Sequence, residues 1–303
     1  MVLQKTNLNY ISILIISVYA FGINWFSANT GVMPIDTFAF FDTGFNITLD
    51  KLPIRDFWVF TGIVVDFLQA LFFITFGNNW TSYVLHGCLL NILGSISFYL
   101  FLNKLNLKKE YSLLYSISFA TLCYPVSGTP FAYIHSYIFS LLSIFLLCIA
   151  IKEKKDLLWF VLPFTCFLAF FSMQTPSVYI ILIVLIFSTY FLLIKKNLSC
   201  LKNFVLGGTL SFSVIFLYLL FTRTPFENFL YQYFLFPLTI GEGRIASNAN
   251  AYVALADQMN FQRLIGNFKF IHIFLFPLIF FTLKNFLLKK KDNLNLINFI
   301  VIL

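Results

Sequence analysis

Apolar stretches of roughly twenty residues recur along this chain and constrain its fold more than any other feature. A membrane-spanning helix needs about 20 mostly apolar residues to cross a hydrocarbon core of roughly 30 Å. Stretches that meet or approach this length lie at residues 8–26, 83–102, 111–126, 131–151, 157–171, 177–194, 204–221 and 270–288. Since 60% of the residues are hydrophobic and 11% are charged, we expect an all-α, polytopic transmembrane helical bundle of about eight spans.

The first and last apolar stretches predict how the chain begins and ends. A ninth apolar stretch begins at residue 294 and reaches Leu303 after too few residues to cross, so we expect a C-terminally truncated fragment of a longer protein. The first stretch could be a secretory signal, but its length and the lack of a small-residue cleavage site favour a retained helix. We expect residues 1–303 to form a single transmembrane domain.

Charge decides the orientation of the chain, because residues 56–77 are also apolar enough to be a span. If they do not cross, 14 of the 20 Lys and Arg residues lie on the side of Lys5; if they do cross, only 5 lie there. The positive-inside rule favours the first arrangement, with a cytoplasmic N-terminus. Residues 56–77 would then form an outer-face juxtamembrane helix with a polar stripe of Gly62, Asp66 and Gln69. Asp66 would face water or a partner, or reach the surface.

Two long loops, residues 27–79 and 222–269, would lie on the outer face. They contain all four arginines, Arg55, Arg223, Arg244 and Arg263, together with eight acidic residues: Asp36, Asp42, Asp50, Asp56, Asp66, Glu227, Glu242 and Asp257. A guanidinium binds phosphate or carboxylate with two parallel hydrogen bonds. This combination suits transfer from a lipid-linked phosphate, with a carboxylate as general base and an arginine on the departing phosphate. Alternatively, these charges pair with one another in solvated loops.

Particular stretches resemble the GT-C superfamily of membrane glycosyltransferases, which use polyprenyl-phosphate sugars. The superfamily includes protein O-mannosyltransferases and the transferases that add aminoarabinose to lipid A. The resembling stretches are "PIDTFAFFDTG" at 34–44, "KLPIRDFWVFTGIVVDFLQALFFITFGNNW" at 51–80 and, more weakly, "YQYFLFPLTIGEGR" at 231–244. The resemblance implies a sugar transferase on the outer, periplasmic face of a bacterial inner membrane, with a polyprenyl-phosphate-linked sugar as donor. A glycolipid, polysaccharide or protein would be the acceptor, and no nucleic acid is expected.

The resemblance also assigns residue roles. Asp36 matches the first acidic residue and becomes the candidate base, with Asp42 as second choice or as a partner that orients the acceptor. Arg55 and Asp56 match the cluster before the juxtamembrane helix, although they could simply pair and hold the loop. Family members often carry a lysine where this chain has Met173, which leaves donor-phosphate binding to Gln174 or to the arginines, Arg244 above all. Asp50 reads as a turn residue.

Other side chains leave alternatives open. His135 and His272 could contact a head group or merely suit an interface, and His86 is expected to be hydrogen-bonded between helices. The five cysteines lack CxxC spacing and read as small buried hydrophobes. No residue set has metal-ligand spacing, but paired carboxylates could hold a divalent ion. A transporter or lipid flippase, and a non-catalytic envelope-assembly partner, remain competing functions.

Overall fold

The regular elements of this protein are helices. The computed structural model describes residues 2–32, 36–59, 61–153 and 155–239, and the short pieces 276–277, 279–280 and 283–284. No β-strand occurs in that part of the chain. In order, the helices are α1 Val2–Thr30, α2 Ala39–Thr48, α3 Ile63–Phe76, α4 Trp80–Lys104, α5 Lys109–Leu122, α6 Ala132–Glu153, α7 Asp156–Ser172, α8 Gln174–Lys195, α9 Leu198–Thr222 and α10 Phe226–Leu230. A π-helical turn, Tyr231–Leu235, follows α10.

Five helices are long and apolar enough to cross a membrane: α1 from Tyr10, α4, α6, α8 to Ile194, and α9. The expectation of a polytopic helical membrane protein is confirmed at this level, but the count of about eight spans is not. Two further predicted spans coincide with α5 and α7, which have 14 and 17 residues. The stretch at 270–288 lies largely outside the described residues.

Exposure of α1 indicates a lipid environment. Its buried residues Ser12, Ile16 and Ala20 recur every four positions and face the bundle. Leu14 and Val18, on another face, are 64% and 65% exposed. A soluble monomer rarely leaves apolar faces of this size in water, so these side chains are suited to contact with acyl chains.

One end of the bundle, here called the loop end, is defined by three separate contacts: Trp80 with Asn29, Ser27 with Pro125 and Arg55 with Thr222. Trp80 Nε1 donates to Asn29 Oδ1 at 3.1 Å, which joins the start of α4 to the end of α1. Ser27 Oγ donates to the Pro125 carbonyl at 2.5 Å. Because residues 29 and 80 meet, the chain between them starts and finishes at the same end. Helices α2 and α3, with 10 and 14 residues, lie between these two points. The expectation that residues 56–77 do not cross the membrane agrees with this geometry and stays a prediction.

The opposite end, here called the lysine end, gathers the cationic connections. Glu153 at the end of α6 pairs with Lys104 at the end of α4, and its other oxygen lies 2.8 Å from Lys155. Ser199 of α9 donates to Asp156 of α7 at 2.5 Å. The expected separation of lysine-rich loops from the arginine-bearing loop thus corresponds to two ends of one bundle.

Helices α4, α6 and α7 hold most of the interior of the bundle. Trp159 and Leu162 of α7 are fully buried, and Trp159 stacks on Phe191 of α8. The start of α3 fits closely against the end of α7, where a Cβ on Gly62 would lie 2.2 Å from the Phe171 carbonyl oxygen. A residue without a side chain is therefore needed for this approach.

By its internal contacts the chain divides into two compact units, Met1–Thr224 and Pro225–Leu303. The first holds α1 to α9 and the second holds α10 and the π-helical turn. The expectation of a single domain over residues 1–303 stays a prediction.

Candidate functional site

The first long loop folds into two short helices, α2 and α3, that pack against each other at the loop end. Thr43 Oγ1 of α2 donates to Asp66 Oδ1 of α3 at 2.5 Å. Next to it, a Cβ on Gly44 would lie 2.6 Å from Gln69 Cγ, so the two helices touch where Gly44 has no side chain. Phe41 and Phe73 pack edge to face across the same interface, with centroids 4.8 Å apart.

Asp66 lies inside this interface and not at the surface. Only 2% of it is exposed, and burial raises the pKa of its carboxyl to about 7, although the Thr43 hydrogen bond acts in the opposite direction. The expected polar stripe therefore faces inward, since Gly62, Asp66 and Gln69 are all buried. Of the alternatives for Asp66, the structure shows the one with a partner, Thr43.

The two candidate bases lie on or just before α2. Asp42 is exposed in the first turn of α2, and its Oδ2 accepts from Asn46 Nδ2 at 3.2 Å. Asp36 is half-buried, and its carbonyl accepts from the Ala39 amide at 3.3 Å, which starts the turn into α2. Both carboxylates are thus carried by one short segment, residues 36–48, at the loop end.

Arg55 and Asp56, which follow this segment in the chain, form a forked ion pair. Arg55 Nε and Nη2 donate to the two carboxylate oxygens of Asp56 at 2.9 and 2.8 Å. The arginine, followed by the Leu52 amide, holds the pKa of Asp56 at about 2. Arg55 Nη1 also donates to the Thr222 carbonyl at the end of α9, at 2.8 Å. Because a guanidinium has more N–H donors than these three, Arg55 can still bind an anion without breaking the pair.

The turn that presents Arg55 is strained. Ile54, one residue earlier, has φ +71° and is 1% exposed. A β-branched residue in this region of backbone space is an outlier that the surrounding structure must hold in place. The Ile54 amide donates to the Phe57 carbonyl at 3.1 Å and the Asp56 amide to Leu52 at 2.9 Å. Such strain is commonly kept where side-chain direction matters.

An apolar cavity of about 440 Å³ lies between α3, α7 and α9. Its lining includes Phe67, Leu71, Leu168, Val214 and Tyr218. Leu71 and Val214 are more than half exposed, so the cavity opens to the outside of the bundle.

At the loop end of the cavity, the Tyr218 hydroxyl donates to the Pro53 carbonyl at 2.6 Å, two residues before Arg55. Thr222, whose carbonyl binds Arg55, lies one helical turn beyond Tyr218. Tyr218 therefore links the cavity lining to the turn that presents the Arg55–Asp56 pair, and neither Arg55 nor Asp56 lines the cavity itself.

A second buried polar group links α3, α4 and α6. His86 Nε2 and His135 Nε2 are 2.9 Å apart, and His86 Nδ1 lies 2.9 Å from the side-chain amide of Gln69. His135 Nδ1 approaches the Phe131 carbonyl at 2.9 Å and the Tyr124 hydroxyl at 3.2 Å. His135 is fully buried in the first turn of α6, so its imidazole faces neighbouring helices and not the outside of the bundle. The expected interhelical bonding of His86 is present.

The proton positions in this group follow from its acceptors. Since the Phe131 carbonyl can only accept, His135 Nδ1 carries a proton, and in a neutral ring Nε2 then accepts from His86. His86 Nδ1 must in turn accept, which requires the nitrogen of the Gln69 amide to face it. Turning the amide this way also gives a partner to Gln69 Nε2, which otherwise has none within the described structure. The opposite orientation would need a cationic ring, His86 or His135, in the interior, which is costly.

The remaining predicted site residues lie elsewhere. Gln174 is half-buried at the start of α8, and Arg223 ends α9 in the left-handed region with φ +52°. Arg244 and Arg263 lie outside the described residues, as do Glu242, Asp257 and His272. Among the residues that the structure describes, no three His, Cys, Asp or Glu side chains gather as a metal site would need.

No protein-family model, no curated protein and no solved structure matches this chain. The geometry of the loop end is therefore the basis for assigning a function.

Proposed function

We propose that this protein is a membrane glycosyltransferase that moves a sugar from a polyprenyl phosphate to an acceptor hydroxyl. The reaction would take place at the loop end, on the outer face of a bacterial inner membrane. The lysine end would face the cytoplasm, in agreement with the positive-inside rule. Helices α5 and α7 would then also cross, with their connections completing the bilayer depth.

One observation carries the proposal: Tyr218, which lines the apolar cavity between α3, α7 and α9, is hydrogen-bonded to Pro53 in the turn that presents Arg55. A polyprenyl phosphate has a long apolar tail and an anionic head group. Its tail would lie against Leu71, Leu168 and Val214, which are open to the bilayer on one side. Its phosphate would reach Arg55, whose remaining N–H donors suit phosphate oxygens.

The carboxylates of residues 36–48 supply the other half of the chemistry. The acceptor hydroxyl loses its proton to Asp36, or to Asp42, while its oxygen bonds to the anomeric carbon of the sugar. The bond between that carbon and the phosphate oxygen breaks, and the bonding electrons leave with the phosphate. Arg55 stabilises the negative charge that grows on the departing polyprenyl phosphate. Asp56 keeps the guanidinium oriented throughout.

The test is a transfer assay with the purified protein in lipid vesicles and polyprenyl-phosphate sugars as donors. Asp36→Asn keeps the shape but removes the base, so we expect transfer to fall by roughly 10²-fold or more. Asp50→Asn is the matched control, because Asp50 is an exposed turn residue with φ +61° that asparagine adopts readily. Equal transfer by wild type and Asp36→Asn would rule out Asp36 as the base.

Arg55→Lys tests the phosphate role separately. Lysine keeps the charge but loses the fork that pairs with Asp56, so we expect a loss of roughly 10²-fold in kcat. Arg223→Asn is its control, since asparagine tolerates the left-handed conformation of that position. If Arg223→Asn lost more activity than Arg55→Lys, the phosphate site would lie at the end of α9.

A transporter or flippase is the alternative that the same vesicles can test. Such proteins usually place ionisable residues near the middle of the membrane. Within the described parts of the five spans, the buried polar residues are Ser, Asn, Tyr and His, with no buried Asp, Glu, Lys or Arg. Movement of a labelled polyprenyl phosphate between leaflets without sugar transfer would favour the alternative.

A further inference from the structure

The segment that carries both candidate bases is held by a hydroxyl that lies in the interior. The Tyr83 hydroxyl, on the first turn of α4, donates to the carbonyl of Thr37, directly after Asp36. Tyr83 is fully buried and packs edge to face on Phe41, with centroids 5.3 Å apart. Because Tyr83 belongs to α4, its hydrogen bond ties residues 36–48 to that helix.

The other side of the segment is held by α3. Thr43, directly after Asp42, donates to the buried carboxyl of Asp66. The close approach of Gly44 to Gln69 leaves no room for α2 to shift toward α3. Each candidate base thus has a neighbour in sequence that is hydrogen-bonded to a buried side chain of another helix.

We propose that Tyr83 and Asp66 are positioning residues, which clamp residues 36–48 so that Asp36 and Asp42 face the acceptor at the loop end. The catalytic part of this inference rests on the proposed function; the clamp itself does not. A general base must come within about 3 Å of the proton that it removes. A displacement of about 1 Å can cost roughly 10²-fold in rate, so a short exposed segment needs such anchors.

The clamp is tested first without any substrate, by hydrogen–deuterium exchange on the intact protein in lipid nanodiscs. Tyr83→Phe keeps the ring and removes only the hydroxyl. Tyr99→Phe is the matched control, because Tyr99 lies on the same helix, is 1% exposed and has a hydroxyl with no partner in the described structure. We expect amides of residues 37–48 to exchange about 10-fold faster in Tyr83→Phe than in Tyr99→Phe, as one lost anchor of about 1.4 kcal/mol would give.

Thr43→Val tests the second anchor in the same way, since it removes the donor and keeps the shape. Thr37→Val is its control, because the Thr37 hydroxyl is buried without a described partner while its carbonyl still accepts from Tyr83. We expect faster exchange in Thr43→Val and unchanged exchange in Thr37→Val. Exchange in Tyr83→Phe and Thr43→Val equal to that of their controls would overturn the clamp.

A kinetic measurement then connects the clamp to catalysis. Because the donor binds at the cavity and Arg55, Tyr83→Phe should lower kcat for transfer by about 10-fold or more and leave KM for the polyprenyl-phosphate sugar unchanged. A general loss of structure would raise KM as well, and that result would contradict a positioning role. If wild type transfers no sugar while the exchange results hold, the proposed function fails and the clamp stands.

Discussion

His86 and His135 are joined through their Nε2 atoms at 2.9 Å, between α4 and α6. The pair is neutral only if Gln69 of α3 donates its amide proton to His86. Helix α3 at the loop end is thereby tied to α4 and α6, two of the helices that are long and apolar enough to cross a membrane. Phe72 stacks on the His86 ring, with centroids 5.0 Å apart, and strengthens the same junction.

Replacing Gln69 should weaken this junction. Gln69→Leu has a similar volume but leaves His86 Nδ1 buried without a donor. An unsatisfied buried group costs about 1–3 kcal/mol, so we expect the free energy of unfolding to fall by that amount. Denaturant titration in detergent measures it, with Ser95→Ala as control, because the Ser95 hydroxyl is buried and has no partner in the described structure. Equal stability of the two variants would contradict the proton order derived for the histidines.

Asp66 should make stability depend on pH. Its pKa is about 7 in the folded protein and about 3.9 in an unfolded chain. The folded protein therefore holds a proton that the unfolded chain releases in this interval, and the Asp66 contribution to the free energy of unfolding falls as pH rises from about 4 to about 7. Tyr83 and Tyr218, the titratable groups that interact electrostatically with Asp66, are phenols and carry no charge there.

The measurement compares wild type with Asp66→Asn, so that other titrating groups cancel. The melting temperature of wild type relative to this variant should decline between pH 4 and 7 and then level off. Thr43→Val removes a hydrogen bond that lowers the pKa of Asp66, so its decline should extend to higher pH. A constant difference between wild type and Asp66→Asn across this range would show that Asp66 titrates at its ordinary pKa.

Filling the apolar cavity should weaken binding of the donor. Val214→Trp adds volume at a position that lines the cavity and is 52% exposed, so the core need not repack. We expect KM for a polyprenyl-phosphate sugar to rise roughly 10-fold, which corresponds to about 1.4 kcal/mol. Leu210→Trp, one turn earlier on α9 and 42% exposed, is the control. If both tryptophans had the same effect, the tail would bind elsewhere.

Gly62 should tolerate no side chain. In Gly62→Ala the new Cβ would lie 2.2 Å from the Phe171 carbonyl oxygen and 2.7 Å from that of Ser172, both backbone atoms. Overpacking of this kind costs about 1–3 kcal/mol, and α3 would have to move away from α7. Gly22→Ala in α1 meets nothing within 4 Å, so we expect it to raise stability by about 0.5–1 kcal/mol. Thermal unfolding in detergent distinguishes the two variants.

The sequence predicts best those features that depend on the composition of a single segment, such as helix formation in an apolar stretch. Apolar length predicted helices at α1, α4 and α6. Charge counting predicted that the segment before Trp80 does not cross, and the Trp80–Asn29 bond places both ends of that stretch at one end of the bundle. The stripe of Gly62, Asp66 and Gln69, which the sequence shows by its spacing, faces inward, where Asp66 and Gln69 find polar partners. Polar side chains on an otherwise apolar helix need hydrogen-bond partners, either from water or from other polar groups.

Other relationships had no signal in the sequence. Gln69 and His86 are 17 residues apart, and His86 and His135 are 49 apart. Nothing in either spacing indicates that the three meet. The sequence leaves a head-group contact open for His135, because this residue lies near the start of a predicted span. In the structure α6 is rotated so that His135 faces His86 of α4. The sequence also gives no sign of the apolar cavity, because its lining comes from α3, α7 and α9, which are far apart in the chain.

The sequence by itself determined that this protein contains several helices suited to a membrane, and it predicted that the arginines and most lysines lie on opposite sides of that membrane. These properties depend on composition and on the cost of moving charge through lipid, which each segment meets separately. Only the tertiary structure decided that Thr43 binds Asp66, that Tyr83 holds Thr37 and that Tyr218, in the lining of an apolar cavity, binds the Pro53 carbonyl. Such contacts depend on how each helix is rotated and shifted against its neighbours, and packing of the whole bundle sets that.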